Sequence, residues 1–357
     1  MQYIRFLKKP RFKAGARRGG TVSTLIVVTS DLGESFMPRD SPIVGTVRHI
    51  DGTVIARREY TWAAGMRCLA IDISVGAQAS NGKAIVLQVS AHERPADQLC
   101  SPVELPRSTV LSAWSAPFNP GKNEVEAGDF VERRMDIGRE KYLGVWEETK
   151  DSIALHIWDA GVALVTYLSE VLSPTGEPSG SLDTLDKLLQ SNRRLNVLEL
   201  GSGCGIVGLT LAQLHSRCQV TLSDLPLAAD ISNKNINGHP QVAFRELDWN
   251  EDIPEDISSQ YFDAVIVSDC MYNVDAAPAL VSVIAKLFQK SPETVLVVGH
   301  KRRHESENQF LHLLEQSGIV LTDRTHMDTQ GEEEAEGYAE DVNVVDLYTM
   351  RSATVGE

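Results

Sequence analysis

The sequence predicts an α/β protein: a doubly wound, mostly parallel sheet preceded by a mainly β N-terminal module. Three observations carry this. Short Val-, Ile- and Thr-rich runs separated by Gly, Asn, Asp and Pro turns fill the chain from Thr21 to Ser90. Strand-like and helix-like segments then alternate to the C-terminus. One strand-like segment, Leu195 to Leu200, runs through a glycine-rich turn straight into a helical pattern. At 357 residues, 42% hydrophobic and 23% charged, the chain exceeds what one core usually organises.

Residues 1–20 are basic and free of acids, and Pro10 interrupts any amphipathic helix. No apolar signal-peptide core follows, so a solvated basic tail is expected. Residues 21–99 form the β module, with strands expected in STLIVVTS, SPIVGTVRHI, GTVIARREYTW, RCLAIDISV and KAIVLQVS and turns at Asp51-Gly52 and Asn81-Gly82. Residues 100–127 carry Pro102, Pro106, Pro117 and Pro120 and read as a linker, because proline cannot donate to a ladder. Residues 128–357 form the α/β domain. VERRMDI and YLGVWEE open it as strands and WDAGVALVTYLSEVL follows as a helix. LNVLEL, QVTLSD, VAFRELDW, FDAVIVSD, TVLVVGHK and VVDLYTMR supply further strands, with IVGLTLAQLH, DLPLAADISNKNI, ALVSVIAKLFQ and ENQFLHLLEQSG as the helices between them.

Charge and composition exclude several function classes. The formal charge is -15, divided as +4 before Lys141 and -19 from there on. So acidic a half is a poor groove for a phosphate backbone, and nucleic acid is not an expected partner. Apolar stretches such as Ala264 to Val267 are far short of the ~20 residues that span a bilayer, so no membrane partner is expected either. The five cysteines, Cys68, Cys100, Cys204, Cys218 and Cys270, lack any Cys-x-x-Cys or Cys/His metal spacing and fit free thiols in a reducing compartment. No metal site is expected. His300 and His304 flank Lys301, Arg302 and Arg303 without an intervening Glu, which reads as a solvated basic loop. Asp31 and Glu34 read as turn chemistry. The acidic segment that starts at Gly331 precedes the last strand.

In a doubly wound sheet the ligand sits beyond the carboxyl ends of the strands, where strand order reverses. The turn Glu199-Leu200-Gly201-Ser202-Gly203-Cys204-Gly205 lies at such an end. Its glycines permit a tight turn and close backbone approach, and the following helix points free amides at a ligand. The dinucleotide fingerprint needs Gly at 206, where this chain has Ile206. The G-x-G-x-G form preceded by an acid is instead that of S-adenosylmethionine enzymes. Asp224 ends the next strand, placed either to accept from ribose hydroxyls or to cap the segment that begins at Leu225, or both.

Five motifs in order then resemble the seven-β-strand methyltransferases, and among them the family-16 group of protein lysine methyltransferases. These are Ile157-Trp158-Asp159-Ala160, Glu199 to Gly205, Asp224, Leu247-Asp248-Trp249, and Ser268-Asp269-Cys270-Met271-Tyr272, within a region from about Leu143 to Met350. The chain departs from the family at Asn250, where a glycine is often found, and in its first 120 or so residues. The resemblance implies a Rossmann-like seven-stranded sheet with S-adenosylmethionine as cofactor. Trp158, Glu199, Gly201, Ser202, Gly203, Gly205, Asp224, Asp248, Trp249 and Ser268 would line that cofactor's site. Trp249 would cover the adenine, Asp248 would accept from its amine and Ser268 would close the floor. Standing alone, either tryptophan fits core packing better than ligand contact, and it is the ordered motifs that favour the cofactor role.

By the same resemblance Asp269 and Tyr272 are the catalytic candidates, on a loop that faces the glycine turn. Asp269 would hold the incoming ammonium, orient the amine after proton loss and stabilise the cationic product. Tyr272 would make a hydrogen bond at the rim. In the plainer reading Asp269 caps its loop and Tyr272 packs over it. The implied activity is methylation of a lysine on a protein substrate, such as a translation factor or chaperone. Cytoplasmic residence is expected ahead of nuclear or mitochondrial. Two alternatives stay open: N-methylation of a small-molecule amine, and a catalytically silent methyltransferase-fold adaptor.

Overall fold

The computed structural model describes residues 1–15, 19–91, 97–98, 110–148, 155–173, 180–328 and 344–353. They divide into two compact units. The first holds the described residues up to Gln98 together with 110–136 and 142–148, and the second holds 137–141 and those from 155 onward.

The first unit is built from β1 (Gln2–Ala14), β2 (Gly19–Thr29), β3 (Ser41–His49), β4 (Val54–Trp62), β5 (Leu69–Gly76), β6 (Ile85–Ser90), β7 (Asp97–Gln98), β8 (Val110–Leu111), β9 (Ala113–Ser115), β10 (Phe130–Gly138) and β11 (Lys141–Glu148). One sheet runs β5-β2-β1-β8, and a second runs β11-β10-β9-β6-β3-β4 with β7 beside β10. Apolar residues of both sheets, among them Ile26, Ile43, Ile71, Ile73, Leu87 and Val89, share one buried core.

This unit corrects three expectations. The basic N-terminus is not a solvated tail: residues 2–14 are β1, antiparallel to β2, with Ile4 and Phe12 buried and the cations on the other positions. Pro10 falls at an irregularity in the register between Lys8 and Arg11, where no ladder donor is needed. Of the proposed linker, residues 110–127 belong to the first unit: they carry β8 and β9, and Phe118 bridges Ile85. Residues 100–109 lie outside the described residues. VERRMDI and YLGVWEE do form strands, but β10 and β11 pair within the N-terminal sheet, so the expected boundary at 128 falls inside the first unit. Arg133 on β10 fixes this arrangement. It is fully buried, donates to the Ile4, Leu111 and Ser112 carbonyls, and is ion-paired with Glu147 on β11 at 2.5 Å.

The second unit contains α1 (Asp159–Val171), α2 (Asp183–Leu189), β12 (Leu195–Leu200), α3 (Ile206–Leu214), β13 (Cys218–Asp224), α4 (Ala229–Ile236), β14 (Val242–Glu246), α5 (Glu255–Ser258), β15 (Ala264–Ser268), α6 (Ala277–Lys290), β16 (Val295–Lys301), α7 (Gln309–Gln316), β17 (Ile319–Asp328) and β18 (Val344–Ser352). Its sheet has the order β14-β13-β12-β15-β16-β18-β17. Strands β12 to β16 are parallel, whereas β18 is antiparallel to both β16 and β17. The central strands are nearly all apolar because helices cover both faces. Strand order reverses between β12 and β15, and the glycine turn and the Ser268–Tyr272 segment leave the sheet there side by side. The acidic segment from Gly331 lies outside the described residues.

Among the described residues no helix is long and apolar enough to cross a membrane. Cys68, Cys204, Cys218 and Cys270 are free thiols.

Candidate active site

The turn after β12 is held from three sides. At Gly201 φ is +64°, and a Cβ there would lie 2.6 Å from Cys270 Sγ and 3.1 Å from the Trp249 ring. Glycine is therefore required both by conformation and by close approach. The Gly203 amide donates to Asp224 Oδ2 at 2.7 Å, and Asp224 Oδ1 accepts from the Leu225 amide at 2.7 Å. Asp224 thus ties two loops together, and each of its oxygens keeps a further acceptor position. Burial pushes its carboxyl above the usual carboxylate range. Gly205, also at positive φ, opens α3. From α4, Ser232 Oγ donates to the Gly203 carbonyl at 2.8 Å and Asn235 Nδ2 to that of Cys204 at 2.9 Å.

Glu199 lies beneath the turn, its side chain pointing into α3, where Oε2 accepts from the Gly208 amide at 2.8 Å. Burial, with repulsion from Asp224 as a smaller effect, pushes its carboxyl up to about 8. Ser202 Oγ is buried with no hydrogen-bond partner among the described residues, a polar atom left for a ligand to satisfy.

Past β14, Trp249 packs half-buried against the core beside Gly201. Asp248 Oδ1 accepts from the Asn250 amide and side chain, closing its own turn. Ser268 ends β15, and its Oγ would be 3.5 Å from a Cβ on Gly161 in α1. Beneath them Cys270 is buried, its Sγ 3.5 Å from the Leu200 carbonyl, and burial raises its thiol pKa.

Asp269 follows in the left-handed conformation, φ +56°, and is 6% exposed. Both its oxygens are occupied: Arg303 Nη1 donates to Oδ1 at 2.8 Å and Nη2 to Oδ2 at 2.7 Å. The same guanidinium lies 5.7 Å from the centre of the Trp158 ring. Tyr272 lies in a short 3-10 turn after Asp269, and its side chain is outside what the structure describes.

The segment expected as a solvated basic loop is largely enclosed. Lys301 is buried and pairs with Asp159 at 2.7 Å. His300 is 3% exposed, with Nε2 3.4 Å from Glu307, and burial pushes its imidazole down to about 4. Among the described residues no group of three or more His, Cys, Asp or Glu side chains is arranged to hold a metal.

Around the switch point, then, the structure gathers Glu199, Gly201, Ser202, Gly203, Gly205, Asp224, Trp249 and Ser268. Trp158 meets Asp269 through Arg303. Asp248 bonds only within its own turn among the hydrogen bonds described. Sequence reasoning missed Arg303, Lys301, Asp159, Ser232 and Asn235. The one available signal was a carboxylate next to Trp158 at a helix start and cations just past a strand end.

This strand order with its final antiparallel hairpin, and a glycine turn tied to an acid at the next strand's end, define the Rossmann-like sheet of the methyltransferase fold. A sequence model of the lysine methyltransferase family matches residues 138–317, and the chain belongs to that family. Over 330 residues it is 28% identical to the UPF0665 family protein C23C4.06c of Schizosaccharomyces pombe, covering 87% of this chain and 91% of that one. It is 27% identical to Protein N-lysine methyltransferase METTL21A of Mus musculus over 184 residues, covering 50% of this chain and 73% of that one. Protein-lysine N-methyltransferase EFM6 of Saccharomyces cerevisiae is 28% identical over 182 residues, covering 46% and 70%.

Proposed function

We propose that this protein transfers a methyl group from S-adenosylmethionine to the side-chain nitrogen of a lysine in a cytoplasmic protein, a translation factor or chaperone by the resemblance. The observation that carries this reading is the meeting of the glycine turn and Asp269 at the β12/β15 switch point, in a chain of the lysine methyltransferase family. The residues present fit the cofactor. Gly201 leaves a cradle that a Cβ would fill, the buried Ser202 hydroxyl awaits a partner, and Asp224 retains acceptor positions for ribose hydroxyls. Trp249 offers an aromatic face beside the turn, while Trp158 and Ser268 lie on the α1 side.

When bound, S-adenosylmethionine supplies a methyl on a sulfonium: the lysine nitrogen takes it, the C–S pair returns to sulfur, and the nitrogen's proton leaves to solvent. The chain's part is to deliver the nitrogen neutral and aligned. A free lysine has pKa about 10.4, so neutrality near pH 7 costs roughly 4.6 kcal/mol. Burial at the site lowers that cost, and a lone carboxylate would raise it. Asp269 is therefore an orienting acceptor and not a simple base, using the oxygen lone pairs that Arg303 leaves. Tyr272 is proposed at the rim and Asp248 at the adenine end.

The acidic second part of the chain favours a lysine-bearing surface as partner and speeds encounter at low salt. The test is transfer of labelled methyl into a cell lysate, followed by hydrolysis. Label recovered as methyl-lysine from protein supports the reading; label only in small molecules favours the small-amine alternative. Absence of S-adenosylmethionine binding by calorimetry favours the silent adaptor.

A further inference from the structure

Asp269 sits at a chemical conflict. A carboxylate beside the incoming lysine aligns its nitrogen, yet the same negative charge stabilises the ammonium, the form that cannot attack. The geometry at the end of β16 resolves it. Arg303 donates through both terminal nitrogens, one to each Asp269 oxygen, at 2.8 and 2.7 Å. This fork fixes the carboxylate plane and brings a permanent positive charge against it. The arginine is itself held: Nη1 also reaches the Lys301 carbonyl at 3.3 Å, its amide donates to Glu307 Oε2 at 3.0 Å, and its guanidinium lies against Trp158. With side chains 16% and 3% exposed, the pair is shielded from solvent.

Arg303 brings its charge directly against both Asp269 oxygens, and several neighbouring groups are matched or neutral. Lys301 is matched by Asp159. His300 is kept neutral by burial beside Glu307, and the Cys270 thiol is kept protonated in the same way. Asp224 and Glu199 act from the glycine-turn side, and burial moves both toward their neutral forms. Arg302 lies next in the chain.

We propose that Arg303 is a positioning residue that aims the Asp269 carboxylate and cancels its charge, so that the substrate lysine is oriented without being held as an ammonium. The inference rests on the lysine-methylating reading of this site. Loss of the arginine takes a positive charge away from both Asp269 oxygens and makes the lysine harder to deprotonate, so methyl transfer slows at neutral pH and recovers in alkali.

The experiment compares the full-length wild type, Arg303→Gln and Arg303→Lys. Initial rates of labelled methyl incorporation into lysate protein are followed from about pH 6.5 to about pH 9.5 at saturating S-adenosylmethionine, with cofactor affinity measured by calorimetry. Arg303→Gln is expected to lose roughly tenfold near pH 7, with the rise of its rate displaced by about one pH unit toward alkali and cofactor affinity kept. Arg303→Lys keeps the charge without the fork and is expected to show the wild-type pH profile at a reduced rate. A simple structural role would lower the rate equally at every pH. A wild-type profile in Arg303→Gln, or an alkaline displacement in Arg303→Lys equal to that of Arg303→Gln, overturns the proposal while the methyltransferase reading stands. No labelling of protein lysine by the wild type overturns both. If Arg303→Gln fails to fold, Arg303→Met, uncharged and of similar length, takes its place in the same comparison.

Discussion

Lys301 Nζ lies 2.7 Å from Asp159 Oδ2, and the two are 9% and 0% exposed. This ion pair joins the end of β16 to the first residue of α1, directly after Trp158. The adjoining surfaces are close: a Cβ on Gly299 would stand 2.8 Å from Leu164. Removing one partner strands a buried charge, so Asp159→Ala is expected to cost about 3–5 kcal/mol of stability, whereas Asp159→Leu with Lys301→Met costs less. Urea unfolding of Asp159→Ala and of the cycle Asp159→Leu, Lys301→Met and their double variant checks this. An additive double variant would show that the pair is not coupled.

Gly201→Ala combines a positive φ with a Cβ only 2.6 Å from Cys270 Sγ. Backbone strain alone is about 1–2 kcal/mol, and the displaced Cys270 and Trp249 also deform the cradle. S-adenosylmethionine affinity is expected to fall at least roughly tenfold, the equivalent of about 1.4 kcal/mol. Calorimetry measures it, and unchanged affinity would remove this turn from the binding site.

Much of this site was legible because its signals are local. The strand, the glycines and the following helix occupy Leu195–Leu214, and their hydrophobic periods and φ requirements can be read within that window. What stayed hidden depends on tertiary pairing. Asp159 and Lys301 are 142 residues apart and Asp269 and Arg303 are 34 apart, so the basic run after β16 reads as solvated until its carboxylates are located. The N-terminus was misread for a related reason. Apart from half-buried Arg5 its cations are exposed, on a strand whose apolar residues Ile4, Phe6 and Phe12 are covered only in the core that the two sheets share. Strands β10 and β11 have the same alternation in either sheet, and partner choice is not written in that alternation.

Glu199 gives the folded protein a pH dependence of definite sign. Its carboxyl is raised from 4.5 to about 8, so between those values the unfolded chain releases a proton that the native state keeps. Stability from this group is fully present below about 4.5 and is lost as pH rises through about 8. Glu199→Gln, which can still accept from Gly208, should melt above the wild type near pH 8 and converge with it near pH 5. The difference is on the order of a few kcal/mol. Calorimetric melting across pH tests this, and a constant offset would contradict it.

The first unit should not survive a cut at Gly128. Such a fragment keeps β10 and β11 but lacks β1, β8 and Ser112, leaving Arg133 without the three carbonyls it binds. The expected outcome is loss of soluble yield relative to the full chain. In the full chain Glu147→Gln should cost about 3–5 kcal/mol, since it removes the counter-charge of a buried guanidinium. Expression tests and urea unfolding check the two expectations.

The Asp269 carboxylate is proposed to serve methyl transfer to a lysine of a protein. Its most direct test is labelled methyl incorporation into lysate protein by the wild type and by Asp269→Asn, assayed side by side with S-adenosylmethionine affinity measured for each. The expected result is methyl-lysine in protein with the wild type, none with Asp269→Asn, and closely similar affinities. Equal incorporation by the two proteins, or wild-type label found only in small molecules, would contradict it.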